Sequence, residues 1–462
     1  MTRPDPDLQT ERRREAARPH AVGTAARVRG RISAGRRWRP TAPADALVDG
    51  APAGRRAAAV VGLGFVAMLA SSPGQSYWLS LFVDDMIAGT GLSRAGFSIV
   101  YALATVCSAL MVLAIGTLFD RRGPALTWLI VAVGLATGGL VMSVAAGAAV
   151  AFIGLAMLRA FGQGSFPLVG TLLVAGTFDA WRGRAVSAAQ MGMTLAAAAL
   201  PPVAAVLIAG LGWRTGMQVT AAAVLCIVAP MALLVRWTVG ARERRAPRTQ
   251  PRRWPDPRRG LAAASSRARR FPWRGGGGAM LVALTAAPLV STGAIFHATS
   301  LLGRSGLSLG ATAAALSLTA LFGAGGAIVG GAVVDRLGVR ASVIAMNLVL
   351  AVGVGLLLVR TPAGAYAAFA VLGVAGGLNG TGSGAAWGHT YGVARLGELQ
   401  GVGDAARIAA AALGPLPLAL ALSLSGSYTT GVIALTAFAA GCALLGLRIP
   451  RSEEDPVSQT LT

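Results

Sequence analysis

Uncharged or nearly uncharged apolar runs fill most of the chain. In its first part they cover residues 57–83, 95–119, 125–146, 149–174, 185–210 and 215–235. In its second part they cover 276–302, 307–334, 341–359, 363–388, 403–424 and 428–447. The apolar positions are continuous rather than confined to one helical face, which is the pattern of helices that meet lipid or protein on every side. A helix needs about 20 residues to cross the ~30 Å hydrocarbon layer, so each run predicts one crossing. Residues 408–447 carry no charge. As a single helix they would be about twice the thickness of the membrane, so the run must fold back, and Ser425-Gly426-Ser427 is the predicted turn.

A spaced repeat divides the crossings into two sets. Gly116, Asp120, Arg121 and Gly123 recur as Gly331, Asp335, Arg336 and Gly338, an offset of 215 residues. The same offset carries Gly91-Leu92-Ser93 onto Gly306-Leu307-Ser308, at the start of the run leading into each Asp-Arg pair. A register held over so many residues indicates two homologous halves. The expected fold is therefore an all-α polytopic membrane protein with twelve transmembrane helices, arranged as two pseudo-symmetric six-helix bundles. Residues 57–235 form the first bundle and 276–448 the second. They are joined by a basic linker at 236–275 and flanked by an Arg-rich arm (1–56) and a short tail (449–462). The arm has no apolar h-region and is read as a disordered cytoplasmic segment rather than a cleavable signal peptide.

Composition agrees: 54% of the 462 residues are hydrophobic and 13% are charged. The net charge of +23 would suggest nucleic acid in a soluble protein. Its distribution points instead to membrane orientation. With the amino terminus inside, the cytoplasmic side holds thirteen Arg in the arm, thirteen from Arg236 to Arg274, and nine more at 121, 122, 182, 184, 336, 340, 395, 448 and 451. The outer loops hold four, Arg94, Arg214, Arg304 and Arg360, while Arg159 and Arg407 fall within spans. This is a strong positive-inside bias. It places both termini in the cytoplasm and the protein in the cell inner membrane. Cys107, Cys226 and Cys442 have no CxxC or Cys/His companions, so neither a disulfide framework nor a metal is indicated. No Walker motif, GxSxG, HExxH or intramembrane carboxylate pair is present, so neither enzymatic activity nor a cofactor is expected. Asp84 and Asp85 end the first span, where solvation accounts for them.

Twelve spans in two halves, each with a G-x-x-x-D-R-x-G loop after its second span, resemble the major facilitator superfamily from about residue 57 to 448. The resemblance implies alternating access, with the Asp and Arg of each loop holding the halves closed on the cytoplasmic side in the outward-open state. Asp120 would then face the start of span eleven, near Asp404 and Arg407, and Asp335 the start of span five, near Arg184. A carboxylate is attracted to a helix amino terminus, which suits that task. The second loop keeps a further basic residue, Arg340, where the first has Pro124 and Ala125.

A second match is Arg159-Ala160-Phe161-Gly162-Gln163-Gly164 in span four. Arg inside an apolar helix is costly by roughly a few kcal/mol and should face the bundle interior. Arg159 is read either as a contact for a substrate carboxylate or for proton coupling, or as a structural Arg hydrogen-bonded to backbone carbonyls; Gln163 lies beside it. In span one, Pro73 and Gly74 within Ser71-Ser72-Pro73-Gly74-Gln75-Ser76-Tyr77-Trp78 interrupt the backbone ladder, which is tolerated where the chain lines a cavity. This stretch is similar to the first span of bacterial permeases related to the monocarboxylate and oxalate/formate transporters. That similarity makes Gln75, Tyr77 and Trp78 candidates for the substrate path, with aromatic packing as the alternative for Trp78. His297 offers a protonatable group late in span seven. Asn379 and Trp387 in span ten, Gln190, Asn347 and Arg407 are further polar or amphipathic candidates, with helix-to-helix hydrogen bonding as the alternative for the amides. Pro201-Pro202 and Pro415 with Pro417 read as kinks at similar places in spans five and eleven.

The expected function is secondary transport of a small organic solute by a monomer, with a proton as a possible co-substrate. An organic anion such as a monocarboxylate is favoured because the interior holds cations and little acidic charge. A proton-coupled drug or metabolite efflux pump, and a transport-inactive receptor or scaffold, are the alternatives.

Overall fold

The computed structural model describes residues 53–178, 181–243, 271–392 and 396–450. The arm up to residue 52, most of the linker, Arg395 and the tail beyond residue 450 lie outside the described residues. Among those described, every regular element is helical. Ten segments are long and apolar enough to span a membrane. They are α1 (Gly54–Thr90), α2 (Arg94–Arg122), α3 (Pro124–Ser143), α4 (Ala148–Ala175), the double segment Arg182–Val239, α7 (Gly275–Phe296), the double segment Leu309–Leu358, α10 (Pro362–Tyr391), α11 (Leu399–Ser425) and α12 (Thr429–Gly446).

The two double segments each supply two crossings. Straight helices of 58 and 50 residues would be roughly 87 and 75 Å long, far beyond the hydrocarbon layer. Each turns at one glycine, Gly212 with φ 76° and ψ 160° and Gly338 with φ 75° and ψ 172°. That backbone region is essentially open only to glycine. The portions before and after Gly212 are α5 and α6, and those before and after Gly338 are α8 and α9. Twelve crossings result, as the hydropathy pattern predicts.

The repeat is visible in the backbone. Gly123, which ends α2, has φ 82° and ψ 170°, close to the values at Gly338. At the opposite end, Gly91 and Gly306 both have positive φ, 68° and 83°. Ser93 then caps α2 by accepting from Gly96 N at 3.1 Å, and Ser308 caps α8 by accepting from Ala311 N at 3.3 Å. Each cap satisfies one of the amide groups orphaned at a helix start. The Asp-Arg loops therefore lie at one end of the bundle, called here the motif end, and the serine caps at the far end.

Lipid offers no hydrophobic force between helices, so close packing depends on small residues. Spans α8 and α10 approach through Thr319, Gly323, Gly326 and Gly330 on one side and Gly373, Gly377 and Thr381 on the other. A Cβ on Gly377 would collide with the Gly323 carbonyl oxygen, and one on Gly373 with that of Thr319. The first half uses the same device where α1 meets α4 and α5. A Cβ on Gly170 would sit 3.1 Å from Gly64 O, and one on Gly192 would collide with Phe65 O.

The turn geometry yields a stability prediction. Gly338→Ala places a side chain in a conformation costing of order 1–3 kcal/mol and lowers the melting temperature of detergent-purified protein. Gly331→Ala, seven residues earlier in open space on helical backbone, leaves it unchanged or raises it slightly. Equal effects of the two substitutions in a thermal-unfolding assay would refute the assignment.

Candidate functional site

The break in α1 and a widened turn in α4 are built against each other. The first helix of α1 stops at Ala70, a single 3-10 turn covers Ser72–Gly74, and a second helix begins at Ser76. Pro73 contributes no amide hydrogen. Past the break the ladder resumes from Gln75, whose carbonyl accepts from Trp78 N at 3.2 Å and Leu79 N at 3.0 Å. The Gly74 carbonyl is left to point elsewhere. Opposite it, α4 widens into a π turn over Leu158–Ser165, a feature that recurs at functional positions in helices. Gly74 and Gly162 allow the contact: a Cβ on Gly74 would strike the Leu158 carbonyl, and one on Gly162 would lie 2.7 Å from Gly74 Cα.

Arg159 opens from this turn and is completely buried. Its Nη1 donates to Gly74 O at 3.1 Å and to Ser76 Oγ at 3.2 Å, and its Nε donates to Thr105 Oγ1 at 3.2 Å. Its guanidinium carbon lies 4.8 Å from the centre of the Tyr101 ring, which attracts the cation through its π face. Tyr101 in turn shares a 3.0 Å hydrogen bond with Ser76 Oγ. Nη2 has no acceptor, and among the described residues no carboxylate pairs with this cation. The carbonyl-bonded reading of Arg159 thus holds for one of its two amino groups and leaves the other unengaged. Tyr101 and Thr105 are not singled out by sequence reasoning. Their only signal is four-residue spacing, which puts two polar side chains on one face of α2.

Around Arg159, Gln75, Ser76, Tyr77 and Gln163 are half-buried. Gln75 Nε2 donates to Ser71 Oγ at 3.2 Å, and Tyr77 Oη shares a 2.9 Å bond with Ser72 Oγ. Trp78 instead packs on Phe82, with ring centres 5.8 Å apart.

Toward the far end, the two halves meet. Phe296 of α7 lies 4.6 Å from the Tyr101 ring and 6.3 Å from Phe97, and Thr299 Oγ1 donates to Ser80 O at 3.0 Å. His297, also fully buried, follows. Its Nε2 faces the Pro415 carbonyl at 2.9 Å, where α11 is broken between Leu413 and Pro415. A carbonyl only accepts, so Nε2 carries the proton and Nδ1 is left as an acceptor without a partner. Asp84, expected to be merely solvated, pairs with Arg94 at 2.5 Å because the second helix of α1 continues to Thr90 and turns this carboxylate toward the start of α2.

At the motif end, Asp120 and Asp335 are exposed, and neither forms an ion pair among the described residues. Their expected counterparts lie against their own half. Arg407 bonds to Ser383 Oγ, Asp404 accepts from Gln400, and the Arg184 guanidinium sits 5.7 Å from the Trp181 ring. Arg336 is exposed and Arg340 half-buried. The contacts expected for the outward-open state are absent among the described residues, while toward the far end the two halves touch through Phe296 and Thr299.

The remaining candidates make their contacts elsewhere. Asn379 Nδ2 donates to Leu284 O at 3.3 Å and Asn347 Nδ2 to Ala283 O at 3.2 Å, so both amides tie neighbouring spans to α7. Trp387 is buried against Phe271 and Tyr391, and Gln190 is exposed. Among the described residues no cluster of His, Cys, Asp and Glu is arranged to hold a metal.

The architecture has close counterparts among solved structures. A bacterial homolog of the human lysosomal transporter Spinster, in an inward-facing, unoccupied conformation, superposes with a TM-score of 0.61 at 13% identity, covering 85% of this chain and 95% of that one. The nucleoside transporter NupG superposes with a TM-score of 0.63 at 12% identity, covering 84% and 98%. No curated protein matches in sequence. The family model of the Major Facilitator Superfamily matches residues 60–415. With the doubled Asp-Arg loop, the twelve crossings and this match across most of its length, the chain belongs to the major facilitator superfamily of membrane transporters.

Proposed function

We propose that the chain is a secondary active transporter of a small organic anion, a monocarboxylate being the favoured class, working by alternating access in the cell inner membrane with its motif end in the cytoplasm. The observation that carries this reading is Arg159, a fully buried cation that among the described residues has no carboxylate partner and whose Nη2 has no acceptor. Leaving a buried donor unmet costs about 1–3 kcal/mol. A solute carboxylate entering beside Gln75 and Gln163 relieves that cost and supplies the missing negative charge. Such charge-assisted bonds are the stronger kind, and a guanidinium offers them in a planar fork suited to a carboxylate.

In the cycle this implies, the far-end seal between Phe296 and the Phe97–Tyr101 face of α2 parts as the motif-end latches engage. Tyr101 belongs to both the seal and the Arg159 cage, so a solute that rearranges the cage also acts on the seal. His297 is the other buried ionisable group outside tyrosine and cysteine among the described residues. Its unpartnered Nδ1 is the acceptor through which a proton enters the same end of the molecule. The Arg excess of the arm, linker and motif-end loops supports the orientation.

Three outcomes test this reading. Arg159→Ala weakens carboxylate uptake into proteoliposomes roughly ten- to a hundredfold in apparent affinity, the equivalent of about 1.5–3 kcal/mol for a lost hydrogen bond to a charged group. Carboxylate uptake that is undetectable in the wild type, or identical in the variant, refutes the anion assignment. Asp120→Asn and Asp335→Asn each reduce net flux severalfold while leaving unfolding stability within about 1 kcal/mol of wild type, as expected for exposed carboxylates that act in another state. A scaffold without transport would show no change in either assay. His297→Gln abolishes accumulation driven by an imposed pH gradient and preserves solute exchange at equal pH; an unaltered gradient response excludes His297 from coupling.

A further inference from the structure

Four arginines stand at the far end, against the charge bias of the chain, and the structure accounts differently for them. Arg94 pairs with Asp84. Arg214 is consumed by backbone, donating to the carbonyls of Gly89, Ser143 and Ala145. Arg304 and Arg360 have no carboxylate partner among the described residues. Both instead line one cavity of about 270 Å3 between the far ends of α7, α9 and α12.

Each of the two is fixed in place by a minority of its donors. Arg304 Nη1 donates to Gly426 O at 3.0 Å, and its guanidinium carbon lies 5.3 Å from the centre of the Tyr428 ring. Arg360 Nη2 donates to Ser427 Oγ at 3.4 Å and to Thr429 Oγ1. A guanidinium has five N–H donors, so both keep donors free beside the cavity. The hydroxyls of Ser305, Ser427 and Thr429 share the lining, and the first turn of α12 starts there. A helix start adds partial positive charge. The rest of the wall is apolar, formed by Leu301, Leu357, Leu358 and Val432.

We propose that this cavity is a binding site for a phosphoryl anion, separate from the Arg159 site. Two unpaired guanidinium groups with hydroxyl donors and a helix start match the several acceptor oxygens of one phosphate. The apolar wall, at the ends of membrane-spanning helices, fits the first methylenes of a lipid whose headgroup bears that phosphate. Free phosphate satisfies the polar half alone. Occupancy bridges the turn after α7, the α9–α10 turn and the start of α12. It thereby braces Tyr428, whose phenol donates to Ser300 Oγ at 3.0 Å and whose ring lies 5.5 Å from His297.

The test uses the full-length protein in dodecyl maltoside micelles, whose headgroup carries no phosphate, with and without added phosphatidylglycerol and with and without added inorganic phosphate. Thermal unfolding and lipid retention in native mass spectrometry are the readouts. The expected result is stabilisation and retention with phosphatidylglycerol, reduced roughly tenfold in apparent affinity by Arg304→Gln or by Arg360→Gln, as for loss of one charge-assisted contact. Arg214→Gln, whose guanidinium donates to backbone carbonyls and lies over the Trp213 ring outside the cavity lining, retains wild-type affinity and controls for net charge. Stabilisation by inorganic phosphate in the lipid-free micelles, lost in the same two variants, also supports the site and identifies free phosphate as its source. Absence of any effect of phosphatidylglycerol or phosphate on the wild type overturns the proposal, as does an effect that the Arg304 and Arg360 variants leave intact. None of these readouts depends on transport, so the result stands apart from the fate of the carboxylate assignment.

Discussion

A guanidinium sealed inside an apolar bundle needs oxygen atoms, and this chain produces one by breaking a helix. The Gly74 carbonyl is available only because Pro73 and the 3-10 turn interrupt α1, and it is taken by Arg159 Nη1 at 3.1 Å. The π turn in α4 that carries Arg159 is the other half of the same arrangement. Each irregularity alone would leave polar backbone or charge unmet in a medium without water, at a cost of about 1–3 kcal/mol or more per group. Together they satisfy each other. The glycines at 74 and 162 are fixed by this contact, since a Cβ on either would force the two spans apart.

The duplicated halves diverge at this same point. Pro288 stands 215 residues after Pro73, yet α7 runs through it as a continuous helix, and the position equivalent to Arg159 is Val374. The second half has kept the scaffold and not the cation. Its polar side chains serve other ends, with Asn347 and Asn379 bonded to carbonyls of α7 and Arg407 to Ser383. The two halves are accordingly unlike at this position, one bearing a cation and the other an apolar side chain. That asymmetry suits a small solute with a charged end and a hydrocarbon end.

Most of the fold is legible in the sequence because its determinants are local. Hydropathy fixes the crossings, and the repeated glycines and serines fix where chains turn and helices start. At Gly123, Gly338, Ser93 and Ser308 the backbone does what a one-dimensional spacing requires. The site is legible only in part. Arg159 and the Pro-Gly break are conspicuous, being rare residues in apolar runs, but their mutual contact spans 85 residues and no local pattern announces it. Tyr101 and Thr105 are ordinary residues in an amphipathic sense and acquire meaning only from the cation opposite. The Asp-Arg loops show the reverse limitation. Their presence is plain in the sequence, whereas their engagement is a property of state, and in this state both aspartates are exposed.

The chemistry of the two ends bears on how the molecule can switch between states. At the far end the halves are joined by aromatic contacts and a neutral hydrogen bond, interactions of about 0.5–1.5 kcal/mol each. At the motif end the groups proposed to close it, Asp120 and Asp335, are charged and solvent-exposed, and exposed ion pairs contribute about 0–1 kcal/mol apiece. A ligand shifts an equilibrium between two states only through its unequal affinity for them. In the proposed cycle Arg159 meets that requirement through Tyr101, whose ring lies against both the guanidinium and Phe296 of the opposite half. On the proposed reading, a carboxylate that draws the guanidinium away from the ring weakens the contact between Tyr101 and Phe296, and so couples occupancy to the far-end seal.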